Sequence, residues 1–155
     1  MGLSIGIGLS LGAKLNNKKY NTYVLLGDGE LNEGQVWEAA MFAAKERLNN
    51  LVAIVDYNGV QLDGLCCEIM PMNPLRDKWE SFGWRVLEIN GHSILEILEA
   101  LEWANQITDL PVVIIADTIK GKGVSFMENN HIWHGKAPSK TEYEQAVKEL
   151  ERGNF

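Results

Sequence analysis

An α/β fold, a doubly wound and mainly parallel sheet with helices on both faces, is predicted by three observations on this 155-residue chain. Short apolar runs at 23–26, 51–55, 84–89 and 112–116 alternate with stretches whose apolar residues recur every three or four positions. The run at 51–55 is unbroken Leu-Val-Ala-Ile-Val, as in a strand covered on both faces. The first two runs also end in turn sequences, Gly27-Asp28-Gly29 and Asn58-Gly59-Val60, with one amphipathic segment between them.

The first element is a helix. Leu3, Ile7 and Leu11 stand at four-residue steps, and Gly2, Gly6, Gly8 and Gly12 would let that helix approach its neighbours closely. No basic residue precedes this stretch, and glycines interrupt it. It is therefore expected to be a buried helix rather than a leader or a membrane span.

The strand at 23–26 leads into a helix over 32–48, with Trp37, Ala40, Met41, Ala44 and Leu48 on its apolar face. Asn32 is expected to cap it, with Gln35 completing a capping box. After the strand at 51–55 comes an irregular stretch over 59–74, then a short helix at 75–82, a strand at 84–89, a helix at 94–106 and a strand at 112–116. A Gly- and Asn-containing loop over 120–138 and a helix at 141–152 complete the chain. Trp37 and Trp103 are expected to pack in the core or at an interface.

Composition narrows the functional classes. With 46% hydrophobic residues the chain can bury one core, so 1–155 reads as a single domain. A net charge of -7 argues against nucleic acid, whose phosphates require a basic face. Cys66 and Cys67 are adjacent and frame neither a disulfide scaffold nor a metal site, which suits the reducing cytoplasm.

The two turn motifs carry the chemistry. A right-handed β-α-β crossover returns the second strand parallel to the first, so Asp28 and Asn58 share a crevice at the carboxyl ends. Gly27 and Gly29 lack Cβ atoms, which admits a bulky anion and unusual turn dihedrals and leaves Asp28 at the rim. Mg²⁺ prefers six oxygens in octahedral array. The Asp28 carboxylate, the Asn58 amide oxygen and the Val60 carbonyl would supply three, with diphosphate oxygens and water supplying the others. A helix starting near Glu33 adds unpaired N–H groups close by.

These residues resemble the transketolase family. The segment GDGELNEGQVWEAAMFAAKERLNNLVAIVDYNGVQLDG is similar to its thiamine-diphosphate motif, and the similarity continues through DTIKGKGVSFMENNHIWHGKAP. Glu33-Gly34 and Trp133-His134-Gly135 point to the transketolase branch. The resemblance implies that Asp28, Asn58 and the Val60 carbonyl bind Mg²⁺, and that Leu62 packs on the thiazolium ring. It implies that Lys120 and His134 approach the diphosphate and the reacting carbons, with His134 handling protons or stabilising an oxyanion. Glu33 would hydrogen-bond, across a subunit interface, to the partner's cofactor-activating glutamate. The cofactor-binding set is thus Gly27, Asp28, Gly29, Glu30, Asn58, Val60, Leu62, Lys120 and His134, with His134 and Glu33 serving catalysis. His92 is expected either to line the crevice or to cap the helix that follows it, and His131 stays outside the set.

By the same resemblance the chain covers a diphosphate-binding module alone. The pyrimidine-binding module and the N-terminal portion, with its Gly-rich phosphate loop and substrate histidines, are expected to be absent. The implied function is the thiamine-diphosphate and Mg²⁺ half of a split transketolase. It would transfer a two-carbon ketol unit between sugar phosphates only with a pyrimidine-module C-terminal subunit, as a dimer or heterotetramer. A deoxyxylulose-phosphate synthase, a 2-oxoacid dehydrogenase subunit and a non-catalytic binding module are the alternatives.

Overall fold

The computed structural model describes residues 1–153. Helix α1 (Gly2–Leu15) precedes strand β1 (Thr22–Gly27), and a 3-10 turn (Gly29–Asn32) and α2 (Gly34–Lys45) lead to β2 (Leu51–Tyr57). The stretch expected to be irregular holds a hairpin of β3 (Val60–Gln61) and β4 (Gly64–Leu65), then the single turn α3 (Cys66–Ile69). Next come α4 (Leu75–Ser81), β5 (Arg85–Asn90), α5 (Ile94–Gln106), β6 (Val112–Asp117) and, after a long loop, α6 (Lys140–Arg152).

Four strands form one wholly parallel sheet in the order β1-β2-β6-β5. The β1-to-β2 crossover steps inward from one edge, and the β5-to-β6 crossover steps inward from the other. Right-handed connections running in opposite directions put their helices on opposite faces. Accordingly Val24, Leu26, Ala53, Val55, Val113 and Ile115 pack with α1, α2 and α4, while Val52, Val112 and Ile114 pack with Ala100 and Ala104 of α5. The alternation along β2 and β6 is the strand period of two.

Two expectations about helices change. Leu3 and Ile7 are buried and Leu11 packs at the margin of the core, but Ile5 is 63% exposed and Leu9 54%, so α1 is half-buried. Gly6 alone among its four glycines is held tightly, because a Cβ there would strike the Val24 side chain, while the space beside Gly8 and Gly12 is open. Asn32 does not cap α2. It ends the 3-10 turn and donates to the Met70 carbonyl at 3.4 Å, while Gln35 donates to Ser4 and Glu33 occupies the cap position without a side-chain bond.

An aromatic cluster anchors α4 beneath the sheet. Trp79 is fully buried, with ring centroids 5.1 Å from Trp37 and 4.9 Å from Trp84. The Trp37 indole donates to the Leu31 carbonyl at 2.8 Å and Trp84 to the Ala40 carbonyl at 3.0 Å, so these rings are fixed in orientation as well as packed. Trp103 packs at the margin of the α5 cluster.

The loop over 120–138 is more ordered than a bare loop. It contains a 3-10 turn, His131–His134, where Trp133 stacks edge-on against Phe126 at 5.3 Å and donates to the Phe126 carbonyl at 2.9 Å. Lys136 sits 4.2 Å from the Trp133 ring centroid and pairs with Glu142 at 2.7 Å. Glu142 completes a capping box with Ser139 at the start of α6. The Lys136 ammonium, then the Ser139 backbone N–H, hold the Glu142 carboxyl down to about 2.

Two outcomes are expected. Trp79→Ala should lower the unfolding free energy by about 3–5 kcal/mol in urea denaturation, because it removes the centre of the aromatic cluster; a loss no larger than that of a surface substitution would contradict the packing. Because Glu142 has a depressed pKa in the fold, its contribution to stability is present above the ordinary carboxylate value of 4.5 and is lost as pH falls toward about 2. Lys136→Met should shift the Glu142 titration upward by NMR, and an unmoved midpoint would show that Lys136 is not the cause.

Candidate functional site

The site begins where β1 and β2 end side by side. Gly27 is in register with Asp56, and the Asp28 N–H donates to the Asp56 carbonyl at 3.3 Å. The chain then tightens into the 3-10 turn because Asp28 caps it, with Oδ1 accepting from the Gly29 N–H at 2.8 Å. Its Oδ2 accepts from the Gly59 N–H, across the strand ends, at 2.6 Å. Asp28 is only 1% exposed and therefore lies in the floor of the site rather than on its rim. Burial pushes its carboxyl above the usual carboxylate range, opposed by the two backbone donors.

The glycines serve differently from expectation. Neither Gly27 nor Gly29 takes a positive φ; Gly59 does, at 72°. A Cβ on Gly29 would come within 2.8 Å of the Gln61 Cβ, so this glycine allows β3 to close over the turn. A Cβ on Gly27 would meet nothing within 4 Å and would instead project into unfilled space beside the site.

Asn58 is fixed by its neighbours. Its Oδ1 accepts from the Val60 N–H at 3.0 Å, and its Nδ2 donates to Asp56 Oδ2 at 3.0 Å. The other Asp56 oxygen accepts from the Thr118 hydroxyl. This Thr118-Asp56-Asn58 relay, together with Gln61, was not singled out in the sequence, although the spacing of Asp56 two positions before Asn58 is a local signal. Thr118 arrives through the pairing of β6 with β2, which no local pattern reveals. Behind the floor, Cys66 donates its N–H to the Gly59 carbonyl at 2.8 Å. Burial and then the Asp28 charge push its thiol up to about 11.

One cavity of about 450 Å³ gathers the candidate residues. Gly27, Asp28, Gly29, Glu30, Glu33, Asn58, Val60, Leu62, Lys120 and His134 all line it, joined by Asp56 and Gln61. His134 reaches it from the 3-10 turn of the long loop, and Leu62 stands 62% exposed at its edge. Lys120, Glu33 and His134 make no side-chain hydrogen bond or ion pair among the described residues, whereas Glu30 faces the Met1 amino group at 3.5 Å. His92 does neither of the things expected of it. Ser93 caps α5, and the His92 ring borders a separate groove with Lys122, where its Nε2 accepts from the Ile119 N–H at 2.8 Å.

The donor set favours an anion-bridged cation. No cluster of three or more Asp, Glu, His or Cys side chains among the described residues could hold a metal unaided. A divalent ion here would draw on one carboxylate, one amide and a carbonyl, and would need ligand oxygens to fill its shell. The Lys120 ammonium and the open space beside Gly27 suit a diphosphate. A neighbouring hollow of about 410 Å³ is lined by Glu88, Glu96 and Asp117 with no Lys or Arg, and would repel one.

The chain is similar to known proteins along nearly all of its length. A family model described as "Transketolase, thiamine diphosphate binding domain" matches residues 2–152. The chain is 44% identical over 149 residues to one subunit of an apulose-4-phosphate transketolase from Phocaeicola vulgatus, covering 96% of this chain and 53% of that protein. It is 44% identical over 151 residues to the 6-deoxy-6-sulfo-D-fructose transketolase subunit SqwG of Clostridium sp., covering 97% of this chain and 55% of that one. The chain thus spans about half the length of these curated relatives. A crystal structure of transketolase from Campylobacter jejuni superposes with a TM-score of 0.90 at 31% identity, over 97% of this chain and 24% of that one. A family match from residue 2 to residue 152, on the backbone of a solved transketolase, shows that the chain belongs to the transketolase family through its thiamine diphosphate binding domain.

Proposed function

We propose that this chain is the diphosphate-binding subunit of a split transketolase that moves a two-carbon ketol unit from a ketose to an aldose. The observation that carries the reading is the single cavity in which Asp28, Asn58, Lys120 and His134 meet. Two of the relatives are named as transketolase subunits, one for a sugar phosphate and one for a sulfo-sugar, which supports a partner subunit; the first name supports a sugar-phosphate substrate. The partner would contribute the pyrimidine-binding module, in a dimer or heterotetramer. Free thiols at Cys66 and Cys67 suit the reducing cytoplasm. No described helix is long and apolar enough to cross a membrane.

Each residue then has a physical task. Thiamine diphosphate, when bound, supplies the nucleophilic carbon for ketol transfer. Asp28, Asn58 and the Val60 carbonyl hold Mg²⁺, and burial of Asp28 strengthens its attraction for the ion because little water screens the charge. Lys120 offsets the remaining phosphate charge, and the bare Cα of Gly27 lets the anion approach. Leu62 offers an apolar edge to the thiazolium ring. His134, exposed at the mouth, exchanges protons with substrate oxygens. Glu33, at the start of α2, keeps a carboxylate with no partner among the described residues, available to a partner's acidic group that shares a proton with it. The sulfo-sugar and apulose-phosphate names of the relatives favour transketolase over the deoxyxylulose-phosphate synthase and 2-oxoacid dehydrogenase readings.

Calorimetric titration of this chain with thiamine diphosphate should show binding that requires Mg²⁺ and that Asp28→Ala abolishes. Binding indifferent to Mg²⁺, or equal in wild type and Asp28→Ala, would contradict the cation site. His134→Ala should leave that binding unchanged and, assayed with a pyrimidine-module subunit, reduce kcat by about 10²- to 10⁴-fold, the range for loss of a proton-transfer group. A His134→Ala enzyme with wild-type kcat would remove His134 from the reaction.

A further inference from the structure

We infer that His92 is a positioning residue whose Nε2 fixes the backbone from which Lys120 enters the diphosphate cavity. The inference rests on the role of Lys120 proposed above. Its structural basis is independent of that role.

The turn Asn90-Gly91-His92 is pressed against the exit of β6. Gly91 donates its N–H to the Asp117 carbonyl at 2.8 Å, and a Cβ on Gly91 would strike the Thr118 methyl and lie 3.1 Å from the Asp117 carbonyl oxygen. The His92 N–H donates to Asn90 Oδ1 at 2.9 Å, which sets the direction in which the ring leaves the turn. That ring meets the N–H of Ile119, the residue immediately before Lys120.

Beyond β6 the backbone must find new partners. Thr118 donates its N–H to the Tyr57 carbonyl at 3.2 Å and its hydroxyl to Asp56, so its partners belong to β2. Ile119 has left the ladder, and the His92 ring supplies the acceptor its N–H would otherwise lack. On the far side, the Lys120 carbonyl accepts from the Asn129 N–H at 3.0 Å, and Gly121 turns with φ 73° against the Met127 backbone. Lys120 is therefore pinned immediately before and at its own carbonyl. The bond from Ile119 to His92 is the pin made by a side chain, so it can be removed without rebuilding the backbone.

The chemistry demands an acceptor at this spot. A neutral imidazole that accepts at Nε2 carries its proton on Nδ1 and adds no charge near the phosphate site. Glutamine can place an amide oxygen near the Nε2 position, while phenylalanine keeps a ring and loses the acceptor. Because Lys120 ends in a long flexible stem, a small rotation of its backbone displaces the ammonium by a large fraction of an ionic contact distance, and misplacement of that size is costly in binding.

The test combines a double-mutant cycle with hydrogen exchange, on the whole chain with thiamine diphosphate and Mg²⁺ as the probe. Lys120→Met should weaken binding about tenfold, as expected for loss of a charge-assisted contact. His92→Phe should weaken it by about fivefold or more in the parent, by nothing further in the Lys120→Met background, and should speed exchange of the Ile119 amide. His92→Gln should restore both readouts, and His92→Ala, which needs no room for a ring, should behave as His92→Phe does. Equal losses from His92→Phe in both backgrounds, or an Ile119 amide that exchanges at the wild-type rate, would overturn the positioning role. So would wild-type affinity in His92→Phe beside a weakened Lys120→Met. Wild-type affinity in Lys120→Met itself would instead overturn the underlying role of Lys120, and with it the ligand-directed part of this inference.

Discussion

The bond from the Gly59 N–H to Asp28 Oδ2, 2.6 Å long, ties the ends of β1 and β2 into one structure. Every other part of the site is placed relative to it. A carboxylate with 1% exposure would be costly without compensation, and here it takes two backbone donors from the two turns it joins. Those donors are available because Asp28 starts a 3-10 turn and because Gly59 adopts a left-handed conformation. Replacement of either feature would leave a buried charge short of a partner. The two motifs are therefore one unit, though separated by α2 in the chain.

Around that unit the sheet acts as a jig. β6 is inserted between β2 and β5, and this brings Thr118 onto Asp56 and the Lys120 segment to the same edge as Asn58. The long loop then returns His134 from the far side, held by the Phe126-Trp133 stack and by Lys136 over the indole. Rigid packing beneath and a locally built loop above leave Lys120, Glu33 and His134 lining one cavity, with no side-chain partner among the described residues. Such a distribution, with satisfied groups in the floor and available ones on the walls, is what a site for a charged ligand requires.

Much of this was legible in the sequence, for identifiable reasons. Strand runs and the 94–106 helix were marked by strong periodicity and matched the structure closely. Asp28 and Asn58 could be paired because a βαβ unit has essentially one handedness. The Asn32-Gln35 capping box failed because Asp28 captured the Gly29 N–H and began a 3-10 turn before the helix could start at Asn32. Of the four glycines of α1 only Gly6 has a neighbour that a Cβ would strike, since a glycine in the sequence shows where close approach is allowed and not where it occurs. The bonds from Thr118 to Asp56 and from Ile119 to His92 are not legible in the sequence because they depend on strand order. Periodicity carries no information about which strand is inserted between which others.

In the proposed site Asp28 and Asn58 would hold one metal ion together with the diphosphate of the cofactor. Substituting Mn²⁺ for Mg²⁺ and measuring electron–nuclear coupling to phosphorus tests this directly. Bound Mn²⁺ should show phosphorus coupling that appears only when thiamine diphosphate is present and disappears in Asp28→Asn. A Mn²⁺ signal without phosphorus coupling, or one unchanged by Asp28→Asn, would contradict it.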